Sequence, residues 1–148
     1  MPALLLIAHA PLASALAQVA GHTFPDSATR LRAIDVAATA SLDGTEQLVR
    51  DELAATGASE VLILADVFGA TPCNAALRAA DGIHVRVVAG VNVPMLWRTL
   101  CYADEPLDRL VLRAVDGAVQ GVMQVSQPRR LNQAPSALPH AQDPNHDQ

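Results

Sequence analysis

Four short apolar runs recur along the chain, and segments with helical spacing separate them. The runs are Leu4–Ala8, Leu31–Val36, Val61–Ala65 and Val85–Ala89. All but the second lack an alternation of apolar and polar positions, which is typical of strands buried on both faces. The pattern predicts a doubly wound α/β fold, with a mainly parallel central sheet in strand order 2-1-3-4 and helices on both faces.

The segments between and after these runs carry ordinary helix signals: Pro near the start, Gly near the end and apolar positions three or four residues apart. The predicted helices are Leu12–Val19 after Pro11, Asp43–Thr56 ended by Gly57, Cys73–Ala80 ended near Gly82, one from Pro94 to about Tyr102, and one from Pro106 onwards. For Cys73–Ala80, the preceding Thr71-Pro72 pair predicts a Thr N-cap with Pro at the first helical position. The apolar segment Val119–Val125 is predicted to be a closing strand or a helical tail.

The composition changes near residue 126. Residues 127–148 hold four prolines among Gln, Asn, Asp and His, with little apolar surface to bury. We therefore predict one domain over residues 1–126 and a disordered C-terminal tail over residues 127–148. The length of 148 residues fits a single domain.

Composition excludes several classes of function. Hydrophobic residues make up 51% of the chain but aromatic residues only 3%, which leaves few rings for stacking nucleobases. The formal net charge is −5 and every basic residue is Arg. The absence of Lys removes Schiff-base chemistry and a P-loop lysine, and the acidic balance argues against a nucleic-acid partner.

The two cysteines, Cys73 and Cys101, have no CxxC spacing and no companion histidines, so we predict buried small hydrophobes and no metal site. No apolar stretch approaches the ~18 residues of a membrane span, and no basic segment precedes the N-terminal apolar run. These observations predict a cytoplasmic, reducing environment.

Polar residues interrupt the apolar pattern at two strand ends. His9 ends the first predicted strand and Asp66 follows the third, and in strand order 2-1-3-4 these strands are neighbours. Because the carboxyl ends of parallel strands meet at one edge, we expect the two side chains to lie side by side. The predicted helix start at Thr71 follows through Gly69 and Ala70, so free N–H groups that favour anions should face the same crevice.

The three elements have complementary chemistry. A carboxylate bonded to one ring nitrogen of His9 fixes the tautomer and leaves the other nitrogen as a base or nucleophile, while a helix start can hold an anion beside it. No serine nucleophile or second carboxylate accompanies them, so His9 is the candidate nucleophile and phosphoryl transfer the candidate reaction. Alternatively, His9 is a solvated or capping residue and Asp66 only forms a turn. The other histidines, His22, His84, His140 and His146, are expected to be structural or solvated.

Three segments of the chain form a pattern: Ile7-Ala8-His9 with Leu12-Ala13, Asp66-Val67-Phe68-Gly69-Ala70-Thr71-Pro72-Cys73-Asn74-Ala75-Ala76, and Ala89-Gly90-Val91-Asn92-Val93-Pro94-Met95-Leu96. In these segments the chain resembles, over about residues 3–125, the mannose-type enzyme IIA domain of the bacterial phosphoenolpyruvate-dependent sugar phosphotransferase system. The segments stand in the family's order at about its spacings, and the second segment is long and specific.

The resemblance implies a phosphocarrier without a bound organic cofactor. In that family the histidine matching His9 accepts a phosphoryl group from the histidine phosphocarrier protein and passes it to an enzyme IIB partner. The aspartate matching Asp66 orients the imidazole, and the hydroxyl matching Thr71 contacts the phosphoryl group with nearby loop amides, here those of Gly69 and Ala70. The resemblance further implies a homodimer in which a C-terminal strand crosses to the partner, with contact to a membrane only through a transporter complex.

The chain departs from the family at two backbone positions. Ala10 follows the histidine where Gly is usual, and Ala70 follows Gly69 where two glycines are common, so both positions lose backbone freedom. Two alternatives to a carrier in sugar uptake or a regulatory phosphorelay stay open. One is a non-catalytic flavodoxin-like module that binds an anion. The other is the related phosphoryl donor subunit of dihydroxyacetone kinase.

Overall fold

The structure, a computed structural model, describes residues 1–126, so the predicted disorder of residues 127–148 lies outside the described residues. Strands and helices alternate along the chain as the apolar pattern predicts. The elements are β1 (Ala3–His9), α1 (Leu12–Thr23), α2 (Pro25–Ala28), β2 (Leu31–Val36), α3 (Leu42–Thr56), β3 (Val61–Ala65), α4 (Thr71–Ala79), β4 (Val85–Ala89), α5 (Val93–Cys101) and α6 (Leu107–Gln120).

The four strands form one parallel sheet in the order β2-β1-β3-β4, which confirms the predicted fold class and strand order. Ile7 of β1 pairs with Ala65 of β3, and His9 at the end of β1 pairs with Val36 of β2. The carboxyl ends of all four strands therefore lie at one edge of the sheet, which we call the site edge.

Two apolar cores cover the two faces of the sheet. Successive residues of β1 alternate between them, so Leu4 and Leu6 pack with α1, α5 and α6, whereas Leu5 and Ile7 pack with α3 and α4. All five residues of β3 are buried. β1 and β3, which end beside the candidate site, are thus the two central strands of the sheet and are held on both faces.

β4 differs from the prediction of a strand buried on both faces. It is an edge strand, and Val88 is its one buried residue. Arg86 interrupts its apolar sequence, which marks a strand with one partly open side. The short helix α2 was not predicted, because its four residues are too few to show a helical period.

Only the first residues of the apolar segment Val119–Val125 belong to the last helix. Val119 lies in α6, which ends at Gln120, and residues 122–126 form no helix or strand and are exposed. The helical-tail prediction is therefore confirmed for Val119 and Gln120, and the single chain forms no closing strand over residues 121–126. None of the helices in residues 1–126 combines the length and apolar character needed to cross a membrane.

Candidate functional site

His9 and Asp66 lie in direct contact at the site edge. The ring Nδ1 of His9 is 2.6 Å from Oδ2 of Asp66, and the backbone N–H of His9 donates to the same oxygen at 3.0 Å. The second oxygen, Oδ1, accepts the N–H of Val67 at 2.8 Å. The His9 side chain is 49% exposed and that of Asp66 only 11%, so the carboxylate supports the ring from behind while the ring faces solvent.

The contact fixes which ring nitrogen of His9 carries a proton. Partial burial raises the pKa of Asp66, but hydrogen bonds from the backbone and ring of His9 and from Val67 together hold that pKa below the usual value for Asp. An ionised carboxylate can only accept, so Nδ1 is the donor and carries the proton. Within residues 1–126 no group hydrogen-bonds to Nε2 of His9, and about half of the side chain is exposed to solvent.

Hydrogen bonds to two backbone carbonyls hold the loop from Asp66 to Thr71. Gly69 has φ +90°, a conformation that glycine adopts without strain, and its carbonyl accepts from the side chain of Asn74 at 3.4 Å. The carbonyl of Asp66 accepts the N–H of Gly90 at 3.1 Å, just beyond the end of β4. The loop that follows the carboxylate is thus tied to both α4 and the next strand.

Thr71 is the first residue of α4 and not its N-cap, so the predicted capping role is wrong. The N–H of Asn74 donates to the carbonyl of Ala70 at 2.9 Å, which makes Ala70 the N-cap. A hydroxyl inside the first turn no longer reaches the amides that an N-cap side chain satisfies. Ala70 has no side-chain acceptor, and among the described residues no side chain caps this helix.

The other three helices that begin at the site edge are capped. In each, the third helical N–H donates to a side-chain oxygen: that of Ser14 in α1 to Asp35, that of Gly44 in α3 to Ser41, and that of Met95 in α5 to Asn92. The equivalent amide of α4 belongs to Cys73 and has no such partner within residues 1–126. Unpaired N–H groups and the positive end of the helix dipole are therefore concentrated at α4, close to the carboxylate that holds His9.

Ala10 and Ala70 do not strain the backbone. Among residues 1–126 no residue other than glycine has a positive φ, and Ala70 has φ −103°. The loss of glycine at these two positions is therefore compatible with the loop conformations on both sides of the site.

The two cysteines have different environments. Cys73 is buried behind the start of α4, and this burial raises the pKa of its thiol, so it is protonated and packs as a small apolar residue. Cys101, at the end of α5, is exposed, so the prediction of burial is wrong for it. In the described part of the chain, no three His, Cys, Asp or Glu side chains form a cluster suited to a metal ion.

His84 also contacts a carboxylate, but away from the site edge. Its Nδ1 lies 3.2 Å from Oδ2 of Asp81, in the turn before β4. Oδ1 of Asp81 accepts three backbone N–H groups, those of Ile83, His84 and Val85. This carboxylate therefore serves the turn before β4, at the opposite end of the sheet from His9 and Asp66.

Sequence reasoning missed Asp35, which lies next to Val36 at the carboxyl end of β2. Oδ1 of Asp35 accepts the N–H of Ser14 at 3.0 Å, and Oδ2 accepts the Ser14 hydroxyl at 2.5 Å. The signal available in the sequence is the same one that indicates His9 and Asp66, namely a polar residue at the end of an apolar run.

The arrangement suits transfer of an anionic group to nitrogen. A neutral imidazole with a fixed Nδ1 proton exposes a nucleophilic Nε2, and the carboxylate behind it can stabilise the positive charge that the ring gains. The uncapped start of α4 supplies donors for the negative charge of the arriving group.

Comparisons with known proteins agree with this picture. The EIIA-man family model, PTS system fructose IIA component, matches residues 3–113. The mannose-specific EIIAB component of the phosphotransferase system of Escherichia coli strain K12 is 46% identical over 65 residues, which are 42% of this chain and 20% of that protein. The same figures hold for the corresponding component of Shigella flexneri. The match thus spans about a fifth of the length of these curated relatives.

Solved structures share the fold over most of the chain. The mannose/sorbose specific IIA subunit of the phosphotransferase system from Enterococcus faecalis has a TM-score of 0.80 at 26% identity, covering 87% of this chain and 98% of that one. The component EIIA from Streptococcus agalactiae has a TM-score of 0.75 at 19% identity, covering 84% and 97%, which is a likeness of fold. Because the family model covers most of the chain, the chain belongs to the EIIA-man family of phosphotransferase-system IIA components.

Proposed function

We propose that the chain is a phosphocarrier in which His9 accepts a phosphoryl group from the histidine phosphocarrier protein and passes it to an enzyme IIB partner. The observation that carries this proposal is the 2.6 Å contact between Nδ1 of His9 and Asp66, which leaves Nε2 of a half-exposed ring without a partner among the described residues. His9 is the catalytic residue, and Asp66 orients its ring and stabilises the positive charge that phosphorylation gives it.

The chemical step is an in-line displacement at phosphorus. The Nε2 lone pair of His9 forms a new N–P bond as the N–P bond of the donor phosphohistidine breaks, and the electron pair of that bond returns to the donor ring. Nδ1 keeps its proton, so the phosphorylated ring of His9 carries a positive charge. The carboxylate of Asp66 faces that charge at hydrogen-bond distance, and transfer to enzyme IIB runs the same step in reverse.

The start of α4 contacts the phosphoryl oxygens in this proposal. Its uncapped amides and the hydroxyl of Thr71 donate to them, together with the loop amides of Gly69 and Ala70. The positive φ of Gly69 supports this assignment, because it turns the loop into the helix through a conformation that other residues rarely adopt.

Two alternatives are less well supported. In a passive anion-binding module, Asp66 would place a negative charge beside the bound anion, which disfavours binding unless the ring between them becomes positive. A donor subunit for dihydroxyacetone kinase would use similar chemistry, but the match of residues 3–113 is to the EIIA-man family. We therefore favour a carrier in sugar uptake or in a regulatory phosphorelay.

We further propose that residues 1–126 carry this activity without residues 127–148 and that the chain acts as a homodimer. The exposed apolar segment after α6 supports a second copy as its partner, since the edge strand β4 is open to pairing. Any contact with a membrane would then be indirect, through the transporter complex that enzyme IIB serves.

The test is phosphorylation by the complete donor chain. The full-length protein is incubated with phosphoenolpyruvate, enzyme I and the histidine phosphocarrier protein, and the intact mass is measured before and after mild acid treatment. We expect one acid-labile phosphoryl group on the wild type and none on His9→Ala. His84→Ala is the matched control, because it removes the other histidine that contacts a carboxylate, and it should be phosphorylated like the wild type.

The outcomes separate the alternatives. Phosphorylation of His9→Ala, or an acid-stable product, overturns the assignment of His9. An unmodified wild type overturns the carrier function and leaves the anion-binding module, which isothermal titration with inorganic phosphate would then detect.

A further inference from the structure

The segment that follows His9 is held from both neighbouring strands. On the β3 side, the N–H of His9 donates to Asp66. On the β2 side, the N–H of Ala10 donates to the carbonyl of Val36 at 2.9 Å. These two bonds fix the backbone at and directly after His9, but they do not reach the helix α1 into which it leads.

Asp35 supplies the next attachment. α1 begins at Leu12, only three positions after His9, and its N-cap position is Pro11, which offers no side-chain acceptor. The cap is provided instead from the neighbouring strand, because Asp35 accepts both the N–H and the hydroxyl of Ser14. A carboxylate at this position also complements the positive end of the helix dipole.

The Asp35 carboxylate is ionised at neutral pH. The hydrogen bonds from the hydroxyl and N–H of Ser14 lower the pKa of Asp35, although the residue is exposed. The hydroxyl of Ser14 also lies 3.2 Å from the carbonyl of Pro11, and the shorter contact with Asp35 takes its proton. Asp35 therefore holds the first turn of α1 at two points, one on the backbone and one on the side chain.

We propose that Asp35 is a positioning residue for His9, acting through Ser14 and the start of α1 to keep the His9 ring against Asp66. This inference rests on the proposed carrier function. Asp35 caps α1, the helix whose start is nearest to His9 in sequence. The start of α4 has no side-chain cap among the described residues. Reactive atoms displaced by a fraction of an ångström lose much of the rate that positioning gives.

The test compares three single variants in the full-length protein. Asp35→Ala removes both contacts with Ser14. Asp35→Asn keeps an oxygen that can accept the backbone N–H of Ser14. Ser41→Ala is the matched control, since it removes the cap of α3 at the same edge of the sheet without touching the segment after His9. For each variant, the turnover rate and KM for the phosphorylated carrier protein, the melting temperature and the ¹⁵N chemical shifts of the His9 ring are measured.

We expect Asp35→Ala to lower the turnover rate roughly tenfold with an unchanged KM, and Asp35→Asn to restore most of that rate. The ¹⁵N signal of Nδ1 should move in Asp35→Ala as the contact with Asp66 loosens. Ser41→Ala should lower the melting temperature without changing the rate or the ring signals.

The proposal is overturned if Asp35→Ala turns over at the wild-type rate, if its loss appears in KM alone, or if the rate falls while the ring signals stay unchanged. It is equally overturned if Ser41→Ala slows transfer as much as Asp35→Ala does. If the wild type accepts no phosphoryl group, the carrier function itself fails, and the ring signals of unphosphorylated Asp35→Ala still decide whether Asp35 positions His9.

Discussion

The backbone N–H and the ring Nδ1 of His9 both donate to the same carboxylate oxygen of Asp66, at 3.0 and 2.6 Å. A single oxygen thus ties the ring to its own main chain, so the ring cannot rotate freely without losing a bond. The N–H of Val67 donates to the second oxygen of Asp66, and this hydrogen bond keeps the carboxylate from rotating. This arrangement sets the direction of Nε2 before any partner arrives.

Asp66→Asn should keep the fold and transfer phosphoryl groups at least about tenfold more slowly. The amide oxygen can still accept from His9, but a neutral group cannot stabilise the positive charge of the phosphorylated ring. The measurement is the initial rate of phosphorylation by the carrier protein. Asp104→Asn, which changes an exposed carboxylate paired with Arg30, should keep the wild-type rate. A wild-type rate in Asp66→Asn would reduce Asp66 to a turn-forming residue.

Thr71→Ala separates a role in chemistry from a role in stability. Since Thr71 is the first helical residue and not the cap, Ala should leave stability unchanged or raise it by up to about 0.5 kcal/mol through its higher helix propensity. We expect slower transfer nevertheless, because the variant loses a donor to the phosphoryl oxygens. Thermal denaturation and initial rates measured together check this, with Thr71→Ser, which keeps the hydroxyl, as control. A marked drop in melting temperature would restore a capping role.

The acid dependence of stability should depend on Asp81. Hydrogen bonds from the N–H groups of Val85, Ile83 and His84 hold the pKa of Asp81 far below its usual range. A folded-state pKa below the unfolded value of about 3.9 contributes stability that is fully present above that pH and is lost as the pH falls further. Asp81→Asn should therefore melt at a lower temperature than the wild type at pH ~7, with a smaller difference at pH ~3. An equal difference at both values would contradict this.

Static light scattering at micromolar concentration should give the mass of a homodimer. Val122, Met123 and Val125 are 76%, 68% and 85% exposed, and pairing with the open edge of a second copy would bury them. The double variant Val122→Asp/Val125→Asp should be monomeric while its circular dichroism spectrum stays that of the wild type. A monomeric wild type would remove the homodimer from the proposal.

The apolar pattern was sufficient to predict the sheet, because the runs that form β1 and β3 show no polar alternation and both strands are buried on both faces. It also indicated His9 and Asp66, since polar side chains directly at the ends of central strands have few positions to occupy. Asp35 was missed for a physical reason. Asp35 is also a polar residue at the end of an apolar run, but its role depends on a hydrogen bond to Ser14 on another element, and the spacing along the chain does not report that contact.

Capping and burial were harder to predict for a similar reason. A Thr before Pro is a common N-cap, which is why Thr71 was predicted to cap α4. The carbonyl of Ala70 instead accepts the first helical hydrogen bond, from the N–H of Asn74, so the helix begins one residue earlier. Cys101 at the end of α5 is exposed, whereas Cys73 in the first turn of α4 is buried against the sheet, and nothing in the residue type distinguishes the two. Each outcome depends on a neighbouring element whose position local sequence does not determine.

The uncapped start of α4 links the chemical state of the protein to its local dynamics. A phosphoryl group on His9 would supply the acceptor that Ala70 cannot, so the first turn of α4 would open less often in the phosphorylated molecule. Amide hydrogen exchange in this turn would then slow on phosphorylation and return to its original rate after transfer. A partner that docks beside the first turn of α4 would meet a more rigid surface in the phosphorylated protein than in the unphosphorylated one.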